Sequence, residues 1–292
     1  MVGLGKMGMP MARMLNAASA APLCFDTDKT TRRTAVDEGL RVAASLADVF
    51  AEAEIVILSL PNATIIEAVI SEGLENLGDA SAPMIIDAST STAETSRKMA
   101  AMLKAAGGGF IDAPVSGGPS GAASGQLIFM VGGATEHVKA CQPIFDTLGR
   151  KTLHAGDVGA GNTAKIANNL MVAAHFIVAR ESLALARAAG LDTSDALGVI
   201  NAATGGSTVT QIHFPTWVVT KAFDSGFTMS LMQKDIGLAT ALADQLELDL
   251  PMARLTSLLW NDANAPAGDL DFTVMGDPDI ISNSSGSETR IA

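Results

Sequence analysis

The stretch that decides the fold is Gly3-Leu4-Gly5-Lys6-Met7-Gly8. Its G-x-G-x-x-G spacing is that of a turn that receives the pyrophosphate of a dinucleotide, and each glycine has its own task. Gly3 permits the tight turn out of a first strand, and Gly5 lets backbone N–H groups approach the phosphates. Gly8 allows close packing of the following helix, whose positive N-terminal end faces the anion. So short a hexamer also arises by chance, and its flanks must decide. Met9-Pro10-Met11-Ala12-Arg13-Met14-Leu15 supplies apolar residues at helical spacing, with Pro10 in the first turn. On the other flank only Met1 and Val2 stand where a strand of several apolar residues belongs. Half a strand at the centre of a sheet is expected to weaken both the sheet and the hold on a pyrophosphate. The expectation is that the numbered start lies downstream of the true one.

Outward from the glycines, residues 1 to about 156 alternate short apolar runs with helical segments. The predicted strands are Leu23-Cys24-Phe25, Ile55-Val56-Ile57-Leu58, Met84-Ile85-Ile86, Phe110-Ile111 and Leu127-Ile128-Phe129-Met130-Val131. Between them a helix is predicted over Thr92 to Ala106, opened by the capping-box pattern Ser91-Thr92-Ala93-Glu94. Continuous apolar strands separated by helices imply a parallel sheet buried on both faces, with ligands beyond its carboxyl edge. After about Gly156 the pattern changes. Asn162 to Ala189 is one long Ala-rich stretch without Pro or Gly, stopped by Gly190, and helical segments follow near 193–203, 229–246 and 251–263. The second half is read as all-helical.

Composition narrows the function classes. A chain of 292 residues with 48% hydrophobic and 17% charged residues has room for two globular domains. Aromatic residues are 4%, so the cores must be aliphatic. A formal net charge of -12 argues against a nucleic acid partner, which needs a basic surface, but leaves room for a small anionic substrate at a local positive site. Cys24 and Cys141 lie too far apart for a metal or redox motif and read as buried thiols of a reducing cytoplasm. The four histidines (His137, His154, His175, His213) are scattered, so no metal site is expected. The glycines and proline near the start break any secretory signal, and the longest apolar runs are strand-sized, so no membrane association is expected.

A dinucleotide turn calls for an acidic residue about 20 positions on, bonded to the adenosine ribose. Asp26 ends the second strand, eighteen positions after Gly8. Its carboxylate would accept from two ribose hydroxyls and repel a 2′-phosphate, which favours NAD over NADP. Arg32 and Arg33, a turn into the next helix, weigh the other way.

Two further segments carry chemistry. Ser116-Gly117-Gly118, after Asp112-Ala113-Pro114-Val115, exposes consecutive N–H groups and a hydroxyl, a nest suited to a carboxylate; as bare sequence it is equally a structural turn. Gly159-Ala160-Gly161-Asn162-Thr163-Ala164-Lys165 opens the long helix, and Lys165, Asn168 and Asn169 fall on one face of it. Such a stripe in an apolar helix is either satisfied by neighbouring backbone or functional. The functional reading is a lysine acid/base whose amine is brought toward its working range by partial burial.

Taken together, Gly3 to Gly8 with Met9-Pro10-Met11-Ala12, Asp112 to Gly118, and Lys165-x-x-Asn168-Asn169 resemble the β-hydroxyacid dehydrogenases. That family includes 3-hydroxyisobutyrate dehydrogenase, tartronate semialdehyde (2-hydroxy-3-oxopropionate) reductase and the glyoxylate/succinic semialdehyde reductases. The resemblance spans nearly the whole chain. It implies an α/β Rossmann domain with a mostly parallel, doubly wound sheet over residues 1–157, and an all-α substrate and oligomerisation domain over 158–281 built on a long inter-domain helix. A polar tail, 282–292, would follow. It further implies that Lys165 is the catalytic acid/base, that Ser116, Gly117 and Gly118 bind the substrate carboxylate, and that Asn169 holds the substrate's oxygen atoms. Leu60-Pro61-Asn62 and Ser89-Thr90 match the family's loops around the cofactor, with Gly3, Leu4, Gly5, Lys6, Met7, Gly8 and Asp26. Lys234 matches a second lysine that reaches the cofactor from the helical domain. The expected activity is hydride transfer between NAD and the β-carbon of a small β-hydroxy acid, in a homodimer or homotetramer. A semialdehyde reductase or sugar-acid dehydrogenase is the alternative within enzymes, and a non-catalytic dinucleotide sensor is the alternative outside them.

Overall fold

Val56, Leu58, Ile85 and Ile111 are fully buried, each contributing roughly 1.5–3 kcal/mol by leaving water. They belong to strands apolar on both sides, which can form only inside a covered sheet. The computed structural model describes residues 1–78 and 80–282, so the predicted polar tail beyond Ser282 lies outside the described residues. Two compact units divide at Ile166/Ala167, within the long helix rather than at 157/158.

In the first unit the strands are β1 (Leu23–Cys24), β2 (Arg41–Val42), β3 (Ile55–Leu58), β4 (Met84–Asp87), β5 (Gly109–Asp112), β6 (Val115–Ser116), β7 (Leu127–Gly132) and β8 (Gly149–Gly156). The helices between them are α1 (Gly8–Ala17), α2 (Lys29–Asp37), α3 (Leu46–Glu52), α4 (Ala63–Glu75), α5 (Ala93–Ala105), α6 (Gly118–Ser124), α7 (Thr135–Ala140) and α8 (Gln142–Leu148). Val2 bridges Phe25 on one side and Leu58 on the other, both in parallel. With β1 parallel to β2, and β3, β4 and β5 parallel in turn, the strand order is β2-β1-Val2-β3-β4-β5. The chain thus winds outward on one side of Val2 and then on the other. The switch point lies between the first strand and β3, where open α/β sheets bind ligands. Neighbouring residues point to opposite cores: Met1, Ile57, Ile86 and Ile111 to one, Val2, Val56, Leu58, Ile85 and Phe110 to the other.

The first strand is short yet paired on both edges. Phe25 N–H donates to Met1 O and Gly3 N–H to Phe25 O, both at 2.9 Å, while Val2 N–H donates to Ile57 O at 2.8 Å and Ser59 N–H to Val2 O at 2.9 Å. Met1, Val2 and Gly3, which feed the glycine turn, are therefore hydrogen-bonded to neighbours on both edges.

Beyond β5 the sheet turns mixed. β5 and β6 run antiparallel along one edge of β7, and β8 runs parallel along the other. β8 escaped the sequence reading because, as an edge strand carrying Arg150 and Lys151, it has the exposed polar character that blunts an edge. α5 is capped by Thr92, which accepts from Thr95 N–H, so the cap lies one residue beyond Ser91, the predicted Ser91/Glu94 box does not form, and Ser91 is released for another partner.

In the second unit α9 (Ala160–Ala188), which begins in the first, is followed by α10 (Thr193–Ala202), α11 (Met229–Gln245), α12 (Pro251–Trp260) and α13 (Asp279–Ser282). Phe176, Phe214, Trp260 and Phe272 form its core, and the Trp260 indole donates to Ala173 O at 3.1 Å. By length and hydropathy α9 matches a membrane-crossing helix, so the apolar stretches are not all strand-sized. It also carries four buried polar side chains, Asn162, Lys165, Asn169 and Arg180. Val209–Val218 is a π-helix, outside the segments predicted as helical. Pro215 within it lacks the N–H that would reach Thr210 O, and Asn201 Nδ2 donates to that carbonyl instead, at 3.0 Å.

Candidate active site

The glycine turn has the backbone geometry that its spacing calls for. Gly3 has φ +86°, and a Cβ there would lie 2.3 Å from Ser59 O. A Cβ on Gly8 would lie 1.9 Å from Gly3 O, so only glycine lets α1 start this close to the strand. Beside Gly5 a Cβ would meet nothing within 4 Å, leaving an open approach to the backbone. The N-terminus of α1 has no side-chain cap, and Lys6 stands exposed beside it. N–H groups at a helix start, the helix dipole and a cation together fit a pyrophosphate.

Asp26 stands beside this turn. One carboxylate oxygen accepts from Leu4 N–H at 2.7 Å and the other from Asp28 N–H at 2.9 Å. A carboxylate has about four acceptor directions, so two remain for hydroxyl donors. Arg32 donates to Asp26 O at 2.7 Å and lies over the Phe25 ring, 5.4 Å from its centroid. Arg33 is solvent-facing and pairs with Asp37.

The loop after β3 completes this side. Leu60 packs against Gly3, and its N–H donates to Ser89 Oγ at 2.9 Å, joining the two predicted cofactor loops. Pro61 follows, and Asn62 spends its side-chain oxygen on capping α4 through Ile65 N–H. Ser89 N–H in turn donates to Asp87 Oδ1 at 3.0 Å, which fixes the turn that leads into Thr90. Gly3 to Gly8, Asp26, Leu60 and Ser89 are thus gathered by direct contacts at the switch point.

Asp112, at the end of β5, does something the sequence reading missed. Its buried carboxylate accepts from Gly159 N–H at 2.7 Å and Asn162 N–H at 2.8 Å, anchoring the start of α9. Burial pushes the carboxyl pKa up, while these backbone bonds pull it down. Four residues on, Ser116, Gly117 and Gly118 form the turn into α6, with φ of +125° and +61° at the two glycines. One strand end therefore holds the base of α9 and leads into the predicted carboxylate nest. Lys165 lies one turn beyond Asn162 and is 8% exposed.

Within the second unit, Asn169, Asn168, Lys234 and Asp235 form a connected polar group. Asn168 Nδ2 donates to Asn169 Oδ1 at 3.0 Å, and Asn169 Nδ2 donates to Asp235 Oδ2 at 2.5 Å. Lys234 Nζ stands 3.3 Å from Asp235 Oδ1. A carboxylate only accepts, so Asp235 forces the Asn169 amide to present its nitrogen that way. Asp235 was also missed; its signal was a lone buried carboxylate on an otherwise apolar face of α11.

Known proteins resemble this chain over nearly its whole length. Residues 1–156 match the family model of the NAD binding domain of 6-phosphogluconate dehydrogenase, and residues 159–277 match that of the NAD-binding domain of NADP-dependent 3-hydroxyisobutyrate dehydrogenase. The chain is 35% identical to a 3-hydroxyisobutyrate dehydrogenase of Pseudomonas aeruginosa, over 93% of this chain and 95% of that one. It is 33% identical to an NAD-dependent L-serine dehydrogenase of the same organism, over 89% of each chain. A solved structure of Mycobacterium tuberculosis 3-hydroxyisobutyrate dehydrogenase with L-serine superposes with a TM-score of 0.88 at 31% identity, covering 97% of this chain and 98% of that one. With a dinucleotide turn at the switch point and relatives matched end to end, the chain belongs to the β-hydroxyacid dehydrogenases, oxidoreductases that act on CH–OH donors with a nicotinamide dinucleotide.

Proposed function

We propose that the chain oxidises the primary alcohol of a small 3-hydroxypropanoate bearing a substituent at carbon 2, with NAD, as 3-hydroxyisobutyrate dehydrogenases do. What carries the reading is the chemistry shared by the names of its relatives. 3-Hydroxyisobutyrate, L-serine and 2-(hydroxymethyl)glutarate, the last from a 31% identical dehydrogenase of Eubacterium barkeri, all contain HO–CH2–CH(R)–COO⁻. Only R differs.

In this reading Ser116, Gly117 and Gly118 hold the carboxylate and Asn169 holds the reacting oxygen. Lys165 takes the hydroxyl proton in oxidation and returns it in reduction. The bound dinucleotide supplies the hydride acceptor or donor. Position does most of the work, since the base sits on a helix start fixed by buried hydrogen bonds. The reaction converts the alcohol and NAD⁺ to the semialdehyde, NADH and a proton.

NAD is proposed over NADP because Asp26 keeps two acceptor directions for ribose hydroxyls, while Arg32 is committed to a backbone carbonyl and a ring. We also propose that the helical unit pairs with a second copy. Met171, Val178 and Leu185 repeat every seven residues along α9, and they are 59%, 58% and 74% exposed, a stripe too apolar to face water along its length.

Three outcomes follow. With NAD⁺ and a panel of 3-hydroxyisobutyrate, L-serine, glycerate and 2-(hydroxymethyl)glutarate, NADH absorbance should rise with at least one; tight NADH binding without turnover on any would favour a sensor. Asp26→Ser should lower NAD⁺ preference over NADP⁺ by roughly 10- to 100-fold, matching about 1.5–3 kcal/mol for hydrogen bonds to a charged group; an unchanged preference ratio contradicts the ribose role. Light scattering on a sizing column should give a dimer or tetramer mass, and a monomer at micromolar concentration would rule out the stripe as an interface.

A further inference from the structure

Asn162 is fully buried, and every polar atom of its side chain and its backbone N–H is engaged. Oδ1 accepts from Ser91 N–H at 2.9 Å, and Nδ2 donates to Ser91 Oγ at 3.3 Å and to Ser96 Oγ at 3.0 Å. The backbone N–H donates to Asp112. Because Ser91 N–H can only donate, the amide has one orientation.

These partners lie on a different stretch of chain from the lysine helix. Ser91 ends the segment 87–91, which Asp87 pins at its other end through Ser89 N–H. Ser89 also receives Leu60 N–H, so the same segment ties down the loop after β3. On α9, Asn162 and Lys165 are three apart and share a face. One amide therefore joins the Ser89-Thr90 loop to the turn that carries Lys165. Ser91 and Ser96 are 2% and 0% exposed, so water does not replace these bonds if the amide is lost.

We infer that Asn162 is a positioning residue, which sets the place of Lys165 relative to the cofactor loop by locking segment 87–91 to the first turn of α9. The inference rests on the reading of Lys165 as acid/base. It asks nothing of Asn162 in chemistry, only that the two elements keep one register. A displacement near 1 Å costs about 100-fold in rate when reacting groups must be aligned, so the effect belongs in kcat.

The test uses the full-length protein and begins with the unsubstituted chain, whose turnover on the substrate panel checks the underlying reading separately. In Asn162→Ala, kcat should fall 10- to 100-fold. The dissociation constant for NADH should stay within about threefold, and the deuterium isotope effect from carbon-labelled alcohol should rise as hydride transfer becomes limiting. Hydrogen exchange followed by mass spectrometry should accelerate together in residues 87–96 and 159–165 of the cofactor-free protein. Ser96→Ala removes one acceptor and should lower kcat by a smaller factor, at least twofold, with the same signature. An unchanged kcat in either folded variant overturns the inference. So does a loss of turnover that merely parallels a loss of NADH binding. If Asn162→Ala does not fold, Ser96→Ala decides by the same criteria.

Discussion

A buried carboxylate with two backbone donors is the contact on which the start of the long helix, and the placing of Lys165, depends. Asp112 accepts from Gly159 and Asn162 where α9 begins, and so satisfies N–H groups that a helix start leaves without internal partners. The negative charge also sits at the positive end of a 29-residue helix. Two glycines make the fit possible. A Cβ on Gly161 would lie 2.3 Å from Met130 O, and one on Gly132 would lie 2.6 Å from Asp112 Oδ1. The helix is therefore held against β5 and β7 by close packing and by charge, and Lys165 follows one turn later.

The glycine turn and the lysine helix were legible because their constraints are local. A positive φ at Gly3 and a helix packed on Gly8 demand glycine at fixed spacing, and a stripe of Lys165, Asn168 and Asn169 stands out in an apolar helix. Asp26 was legible for the same reason, since it ends a strand whose direction sets its distance from the turn. What was not legible depends on partners far away in the chain. Ser91 reads as part of a helix cap, yet Thr92 caps and Ser91 bonds a residue 71 positions on. Asp112 reads as the opening of a turn, yet it holds a helix that starts nearly 50 residues later. β8 was hidden by its charges, and the π-helix by a proline that breaks ordinary helical winding.

The first strand teaches a related lesson. Counting residues ahead of Gly3 suggested a defect at the centre of the sheet. Met1, Val2 and Gly3 nonetheless pair with the Leu23–Phe25 segment on one edge and with the β3 segment on the other. A dinucleotide turn needs the carboxyl end of its strand anchored, and these bonds hold that end. The polar group around Asn169 adds a second anchored surface in the helical unit, with Asp235 orienting an amide that the sequence identified only by type.

In the proposed reaction the Lys165 amine moves the proton, a step open to chemical rescue. Lys165→Ala should bind NADH as the unsubstituted chain does while kcat falls about 10²- to 10⁴-fold, the range for loss of a general acid/base. Small primary amines added to that variant should then restore NADH formation in proportion to their concentration, with rates that follow amine basicity. A folded, NADH-binding Lys165→Ala protein that keeps its turnover, or that no amine rescues while the unsubstituted chain is active, would contradict the assignment.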